Sequence, residues 1–264
     1  MPARFSTAGF DRAEHLVGGV RTVVYSAGRG EPVVYLHGGG TWHGFEFARD
    51  WLDRFRVVVP YHPGYGESAD DPTIDSVHDY VLHYLELFDR LGLKRTNLVG
   101  ASLGGRIAAE FAVSHAHRLT RLALVSPAGI AAADLPMPDF ARIPPAELPA
   151  YFAWNRDFIR PWWPDEPDAE FLAARAREGA ALRQVTRAGS INSERLGRWL
   201  HRVTLPTLVV WGRDDRILSA GLAPLWAQRL PNATVRIIEQ AGHLLLDESP
   251  VARRVVAEFL AGGR

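Results

Sequence analysis

Thr96-Asn97-Leu98-Val99-Gly100-Ala101-Ser102-Leu103-Gly104-Gly105-Arg106-Ile107-Ala108-Ala109-Glu110-Phe111-Ala112 divides into three parts. Thr96 to Val99 is a short apolar run of the kind that forms a buried strand. Gly105 to Ala112 has helical spacing. Between them stands G-x-S-x-G, so the order is strand, tight turn, helix. That context places a serine hydroxyl at the tip of a sharp bend, as in a nucleophile elbow. The glycines let strand and helix approach closely and tolerate unusual backbone angles. The bland alternative is a helix N-terminus with Ser102 as its cap.

Outward from this stretch, other segments share its rhythm. Pro32-Val33-Val34-Tyr35-Leu36 is a continuous apolar run ending in His37-Gly38-Gly39-Gly40, and Phe55-Arg56-Val57-Val58-Val59 is another, ending at Pro60. Runs without polar alternation indicate strands covered on both faces, as in parallel sheets. Residues 10–27 hold two alternating runs bounded by glycines, which reads as an N-terminal antiparallel pair. Ile74 to Leu91 has helical apolar spacing and stops at Gly92. Leu119–Val125, Thr207–Trp211 and Val235–Ile238 read as strands, Ala220–Leu230 and Pro250–Leu260 as helices. Strands alternating with helices predict an α/β fold with a mostly parallel, doubly wound sheet of about eight strands.

Residues 130–203 break that alternation. The segment opens with five prolines between Pro136 and Pro149, then shows helical patterns and no strand. It carries Trp154, Trp162, Trp163 and Trp199, half of the eight tryptophans. The expectation is a helical cap inserted after the sixth strand, with 1–129 and 204–264 forming the core. Some cap aromatics are expected to line an apolar pocket over Ser102, and most to bury the cap against the core.

Composition narrows the function. The chain has 264 residues, 47% of them hydrophobic, enough for a sizeable core. Lys+Arg and Asp+Glu both number 30, so no basic excess points to nucleic acid. Cysteine is absent, which removes disulfides, thiolate chemistry and Cys-ligated zinc. Met1 to Thr7 leads into polar residues without a secretory h-region, and no apolar run is long enough to span a membrane. A cytoplasmic protein acting on a small molecule, as a monomer or homodimer, without cofactor or metal, is the expectation.

A serine hydroxyl needs a neighbouring base, and that base an orienting group. Two loops downstream, each after a strand, supply candidates: Trp211-Gly212-Arg213-Asp214-Asp215-Arg216-Ile217-Leu218 and Gln240-Ala241-Gly242-His243-Leu244. Both sit at carboxyl ends of parallel strands, where open α/β sheets place their sites. The order Ser, Asp, His resembles that of the α/β-hydrolase superfamily, and the likeness runs over almost the full chain. His37-Gly38-Gly39-Gly40 resembles that family's oxyanion loop. Pro63-Gly64-Tyr65-Gly66-Glu67-Ser68 resembles its glycine-rich turn, and Gly242-His243 with Asp247-Glu248-Ser249-Pro250 its histidine loop and last helix.

The resemblance implies roles. Ser102 is the nucleophile and His243 the base. The acid is Asp215 or Asp214, with Asp215 favoured because Arg216-Ile217-Leu218 follows it. Leu103 N–H and Gly39 N–H form the oxyanion hole, with Gly40 the alternative to Gly39. Gly40, Trp42, His43, Trp154, Trp162 and Trp163 are the pocket candidates. His37 is expected to fix the oxyanion loop. His62, His78, His83, His115, His117 and His201 are expected to be structural or exposed, and Arg106 structural.

Serine at position 102 implies acyl transfer, and carboxylic esters are the leading substrate class. Meta-cleavage-product hydrolases, which break a C–C bond in a dienoic diketone, share the H-G-G-G and W-G-R-D-D-R runs. They usually carry Asn where this chain has Ala101, and often Trp where it has Leu244. A receptor that keeps the pocket and loses the chemistry is the reading from another class. Two further departures from the family pattern are Tyr61 in place of an Asp and Ser219 in place of a Pro.

Overall fold

The computed structural model describes residues 5–164, 166–186 and 191–263. Met1 to Arg4, part of the stretch read for a secretory signal, lie outside these.

Eight strands form one sheet: β1 (Asp11–Val17), β2 (Val20–Ala27), β3 (Glu31–Leu36), β4 (Phe55–Pro60), β5 (Thr96–Ala101), β6 (Leu119–Val125), β7 (Thr207–Gly212) and β8 (Ala233–Ile238). Their spatial order is β1-β2-β4-β3-β5-β6-β7-β8. β1 pairs antiparallel with β2, and β2 antiparallel with β4. Every later pairing is parallel. The alternating N-terminal runs therefore form one edge, and the continuous apolar runs the covered centre.

The period of two sorts the strand residues into two cores. Val34, Leu36, Leu98 and Leu124 face one side, under α1 (Val77–Arg90) and α2 (Leu103–His115). Val33, Tyr35, Val99 and Val125 face the other, under a 3-10 turn at Glu46–Trp51 and the C-terminal helix. Each large apolar side chain so buried contributes ~1.5–3 kcal/mol relative to exposure. α1 begins at Val77, three residues later than its apolar pattern. Ser76 and Asp79 form a reciprocal capping box that satisfies the first free N–H groups and fixes the start there.

Between β6 and β7 the described residues hold four helices and no strand: α3 (Pro149–Phe152), α4 (Arg156–Ile159), α5 (Ala169–Val185) and α6 (Glu194–Trp199). A third apolar cluster, which includes Trp42, Ala153, Trp162, Phe171 and Leu244, joins this segment to loops at the carboxyl ends of the strands. The chain finishes with α7 (Ala223–Arg229), α8 (Leu245–Glu248) and α9 (Pro250–Leu260). Pro224 near the start of α7 turns the preceding residues, Ala220–Leu222, into a 3-10 turn, so the helix is shorter than its sequence pattern.

Candidate active site

β5 ends at Ala101 and α2 starts at Leu103, leaving Ser102 alone to reverse the chain. Its backbone takes φ 52° and ψ −115°. Such a conformation costs ~1–3 kcal/mol and persists only where its surroundings impose it. Three backbone hydrogen bonds do so. Ser102 N donates to Val125 O at 3.0 Å, and Ser102 O accepts from Arg106 N at 3.1 Å and Ala128 N at 3.0 Å. The flanking glycines are required by space. A Cβ on Gly104 would lie 2.1 Å from Leu36 O, and one on Gly100 2.3 Å from Gly104 O.

The loop after β3 runs beside the serine: a Cβ placed on Gly38 would lie 3.2 Å from Ser102 Cβ. The N–H groups of Gly39, Gly40 and Leu103 donate to no acceptor among the described residues. His37 holds the loop's root. Its Nδ1–H donates to Gly38 O at 2.8 Å and its Nε2 accepts from His62 N at 3.0 Å. His62 Nε2–H donates to His37 O at 2.9 Å, and Tyr84 OH donates to His62 Nδ1. Each ring thus has one donor and one acceptor nitrogen, the neutral form. Burial pushes the His37 pKa down to about 3, and lowers that of His62 well below the ordinary value. His62 is structural, one of the two outcomes its sequence context allowed. Its partners lie 22 and 25 residues away, where no local motif points.

His243 follows β8 and Asp215 follows β7. His243 Nδ1–H donates to Asp215 Oδ2 at 2.8 Å, while Asp215 Oδ1 accepts from Ile217 N and Leu218 N, both at 2.9 Å. The carboxylate is thereby locked from one side by main chain and presents its other oxygen to the imidazole. Asp214 is not in this contact; its N–H donates to Ala241 O. With Nδ1 occupied by its proton, Nε2 is the atom left to accept one.

Ser102 and His243 line one cavity of 270 Å³. Gly39, Gly40, Trp42 and His43 line it too, while Leu103 lies at the start of α2. The three candidate tryptophans of the helical segment are not on its wall. Trp154 is 48% exposed, and only its N–H takes part in the site's support, donating to Glu248 Oε2 at 3.0 Å. Trp162 packs on Phe158, and Trp163 lies behind Trp42 at a ring separation of 5.1 Å. The helical segment reaches the cavity through other residues, among them the aromatics Phe140 and Phe152 together with Leu182 and Arg175. The aromatic count pointed to the segment, yet position on the wall depends on helix rotation, which short proline-broken helices do not encode.

Two carboxylates brace the site, Glu248 from the run quoted with the histidine loop and Glu178, to which no sequence motif points. Glu178 of α5 is buried and accepts from Thr41 N at 3.1 Å, Gly66 N at 3.2 Å and the Thr41 hydroxyl. Glu248 accepts from Gly242 N at 2.8 Å and Asn155 N at 2.6 Å as well as from Trp154 N. Arg175 stands apart. Its guanidinium lies over Trp163 and Trp42, 4.8 and 5.7 Å from the ring centroids, and meets no carboxylate at ion-pair distance among the described residues. Burial lowers its pKa, and the charge of Glu178 opposes that shift. No group of three or more metal-ligating side chains occurs among the described residues.

The fold and this set of loops define a hydrolase. A model of the alpha/beta hydrolase family matches residues 33–257, and the chain belongs to that family. It is 29% identical over 239 residues to 2-hydroxy-6-oxo-6-phenylhexa-2,4-dienoate hydrolase of Comamonas testosteroni, covering 82% of each chain. It is 28% identical over 239 residues to Lipase 3 of Moraxella sp. (strain TA144), covering 83% of this chain and 74% of the lipase. Among solved structures, a bacterial membrane phospholipase A superposes with a TM-score of 0.82 at 24% identity, over 97% of this chain and 87% of that one. No helix among the described residues is long and apolar enough to cross a membrane.

Proposed function

We propose that this hydrolase cleaves a carboxylic ester of a small, largely apolar substrate through an acyl-enzyme. Ser102 Oγ attacks the ester carbonyl while His243 Nε2 takes its proton. The Leu103 and Gly39 N–H groups hold the developing oxyanion. His243 then gives the proton to the departing alkoxide, and water repeats the sequence on the acyl-enzyme. Residues 130–203 act as a cap that shapes the acyl pocket. The observation that carries this reading is His243, paired with Asp215 at 2.8 Å, on the wall of the same cavity as the strained Ser102.

The test is turnover of p-nitrophenyl esters over an acyl-length series, with Ser102→Ala as the blank. The expected result is turnover with a preferred length, reduced by at least ~10³-fold in the variant. Full turnover in Ser102→Ala, or none in the folded wild type, overturns it.

Arg175 favours a second reading, hydrolysis of a C–C bond in an anionic dienoic diketone. A guanidinium on a cavity wall without a carboxylate partner among the described residues fits a substrate acid group. The Comamonas relative is named for a substrate that carries a carboxylate. Under this reading Arg175→Leu raises KM for anionic substrates at least ~10-fold and leaves neutral esters unchanged, as initial-rate kinetics on both classes would show.

A further inference from the structure

Away from the Asp215–His243 pair, the same cavity is lined by a second imidazole and carboxylate, His43 and Asp247. They come from distant parts of the chain. His43 follows the glycine loop after β3, and Asp247 lies in α8 after the histidine loop. His43 Nδ1 stands 3.3 Å from Asp247 Oδ2, and the two side chains are only 7% and 6% exposed. The approach is off the hydrogen-bonding line, so His43 Nδ1 is a buried polar atom without a hydrogen bond. Neither side chain hydrogen-bonds to another group among the described residues. Tyr35, also on this wall, is buried beside them; burial first and the Asp247 charge second keep its phenol protonated.

A nearly buried pair of this kind is costly unless something satisfies it. A structural ion pair would be aligned and further hydrogen-bonded; Asp215, with three partners, shows what that looks like in this protein. The His43–Asp247 pair has no such set of partners, and both residues line the cavity that holds the substrate in the proposed reading. A carboxylate accepts and an imidazole N–H donates, so the matching group is one that does both from a single atom. A hydroxyl does so, and an alkyl or a carboxylate does not.

We infer that His43 and Asp247 form a polar subsite that binds a hydroxyl group of the substrate, its O–H donating to Asp247 and its oxygen accepting from His43. The inference rests on the reading of this cavity as the substrate site and adds a class of substrate: an ester that carries a free hydroxyl on its acyl or its alcohol part.

The experiment measures binding, so that it stands apart from turnover. Calorimetric titration of Ser102→Ala uses two matched pairs of esters. Methyl 3-hydroxybutanoate against methyl 3-methylbutanoate places the hydroxyl on the acyl part. 2-Hydroxyethyl butanoate against propyl butanoate places it on the alcohol part. The expected result is that one hydroxylated ester binds about 10-fold more tightly than its methyl counterpart. Which pair shows the preference tells which part of the substrate reaches the subsite. In Ser102→Ala carrying His43→Leu and Asp247→Leu the preference falls to about 2-fold or less. If that combination does not fold, Ser102→Ala with Asp247→Asn replaces it, keeping the volume and removing the charged acceptor, with a drop of at least ~3-fold in preference expected. Equal affinity within both pairs, absence of binding by all four, or a preference that survives the substitutions overturns the inference. Absent wild-type turnover of the p-nitrophenyl esters would overturn the ester reading alone.

Discussion

Asp215→Asn isolates what a single oxygen does. The amide keeps its carbonyl for Ile217 N and Leu218 N, so the loop keeps its shape. Its NH2 then faces His243 Nδ1 and forces the imidazole proton onto Nε2, where it can no longer accept one from Ser102. The expected outcome is a ~10⁴-fold fall in kcat with a thermal unfolding midpoint close to that of wild type, read by initial rates and calorimetry. Gly104→Ala makes the opposite separation. Its Cβ would meet the Leu36 carbonyl at 2.1 Å, and backbone cannot step aside as a side chain does. Destabilisation of at least ~2 kcal/mol is expected in urea titration. At this scale the sequence is most readable where chemistry and space coincide. Ser102, Gly100 and Gly104 announce themselves by spacing because the turn admits no other arrangement. Asp214 and Asp215 are one residue apart and chemically alike; the main-chain donors of Ile217 and Leu218 select between them, and those are a matter of loop geometry.

Whole elements are tied to the site by carboxylates that act as clasps. Glu178 joins α5 to both the glycine loop and the turn after β4, accepting hydrogen bonds that span 137 and 112 residues of sequence. Arg177 beside it donates to Gly66 O at 2.7 Å and pairs with Asp70 at 2.7 Å. Glu178→Ala strands the Thr41 and Gly66 N–H groups in a buried place, at a cost of ~1–3 kcal/mol. It also loosens the loop that carries Gly39. A loss of stability accompanied by a kcat reduction of at least ~10-fold is expected, whereas a role confined to folding would lower stability and leave kcat alone. The Glu178 clasp was invisible in the sequence because it is one acidic residue in a charged helix, and the main-chain groups among its partners carry no residue signature. The aromatic content of residues 130–203 was legible; the direction each ring faces was not.

For the molecule as a whole, buried histidines set the acid limit. His37 and His83 have pKa values pushed by burial to about 3 and about 4, from an ordinary value of 6.5, and burial, with His37 beside it as the second cause, lowers that of His62 well below the ordinary value. All three are neutral in the fold, whereas the unfolded chain takes up their protons below about pH 6.5. Their contribution is therefore complete above that pH and is lost as pH falls, at ~1.4 kcal/mol per pH unit for each, until the folded pKa is reached. Urea unfolding at pH 7.5, 6 and 5 is expected to show this steep decline, and His83→Gln to reduce its slope by one proton. An unchanged free energy from pH 7.5 to 5 would refute it. The architecture itself was largely legible: continuous apolar runs gave the parallel centre, alternating runs the antiparallel edge, and the break in rhythm the inserted helices. That insertion leaves from β6 and returns at β7, which are direct neighbours in the sheet. The two strands run parallel, so the segment leaves at the carboxyl end of β6 and must cross back to the amino end of β7, where Thr207 stands opposite Leu122. Under the proposed function such a segment is an exchangeable cassette: replacing it would reshape the acyl pocket and leave Ser102 and His243 in place. The constraint on any replacement is that it bring its own equivalents of Glu178 and Arg177, because the scaffold supplies the lock and the cassette must carry the key.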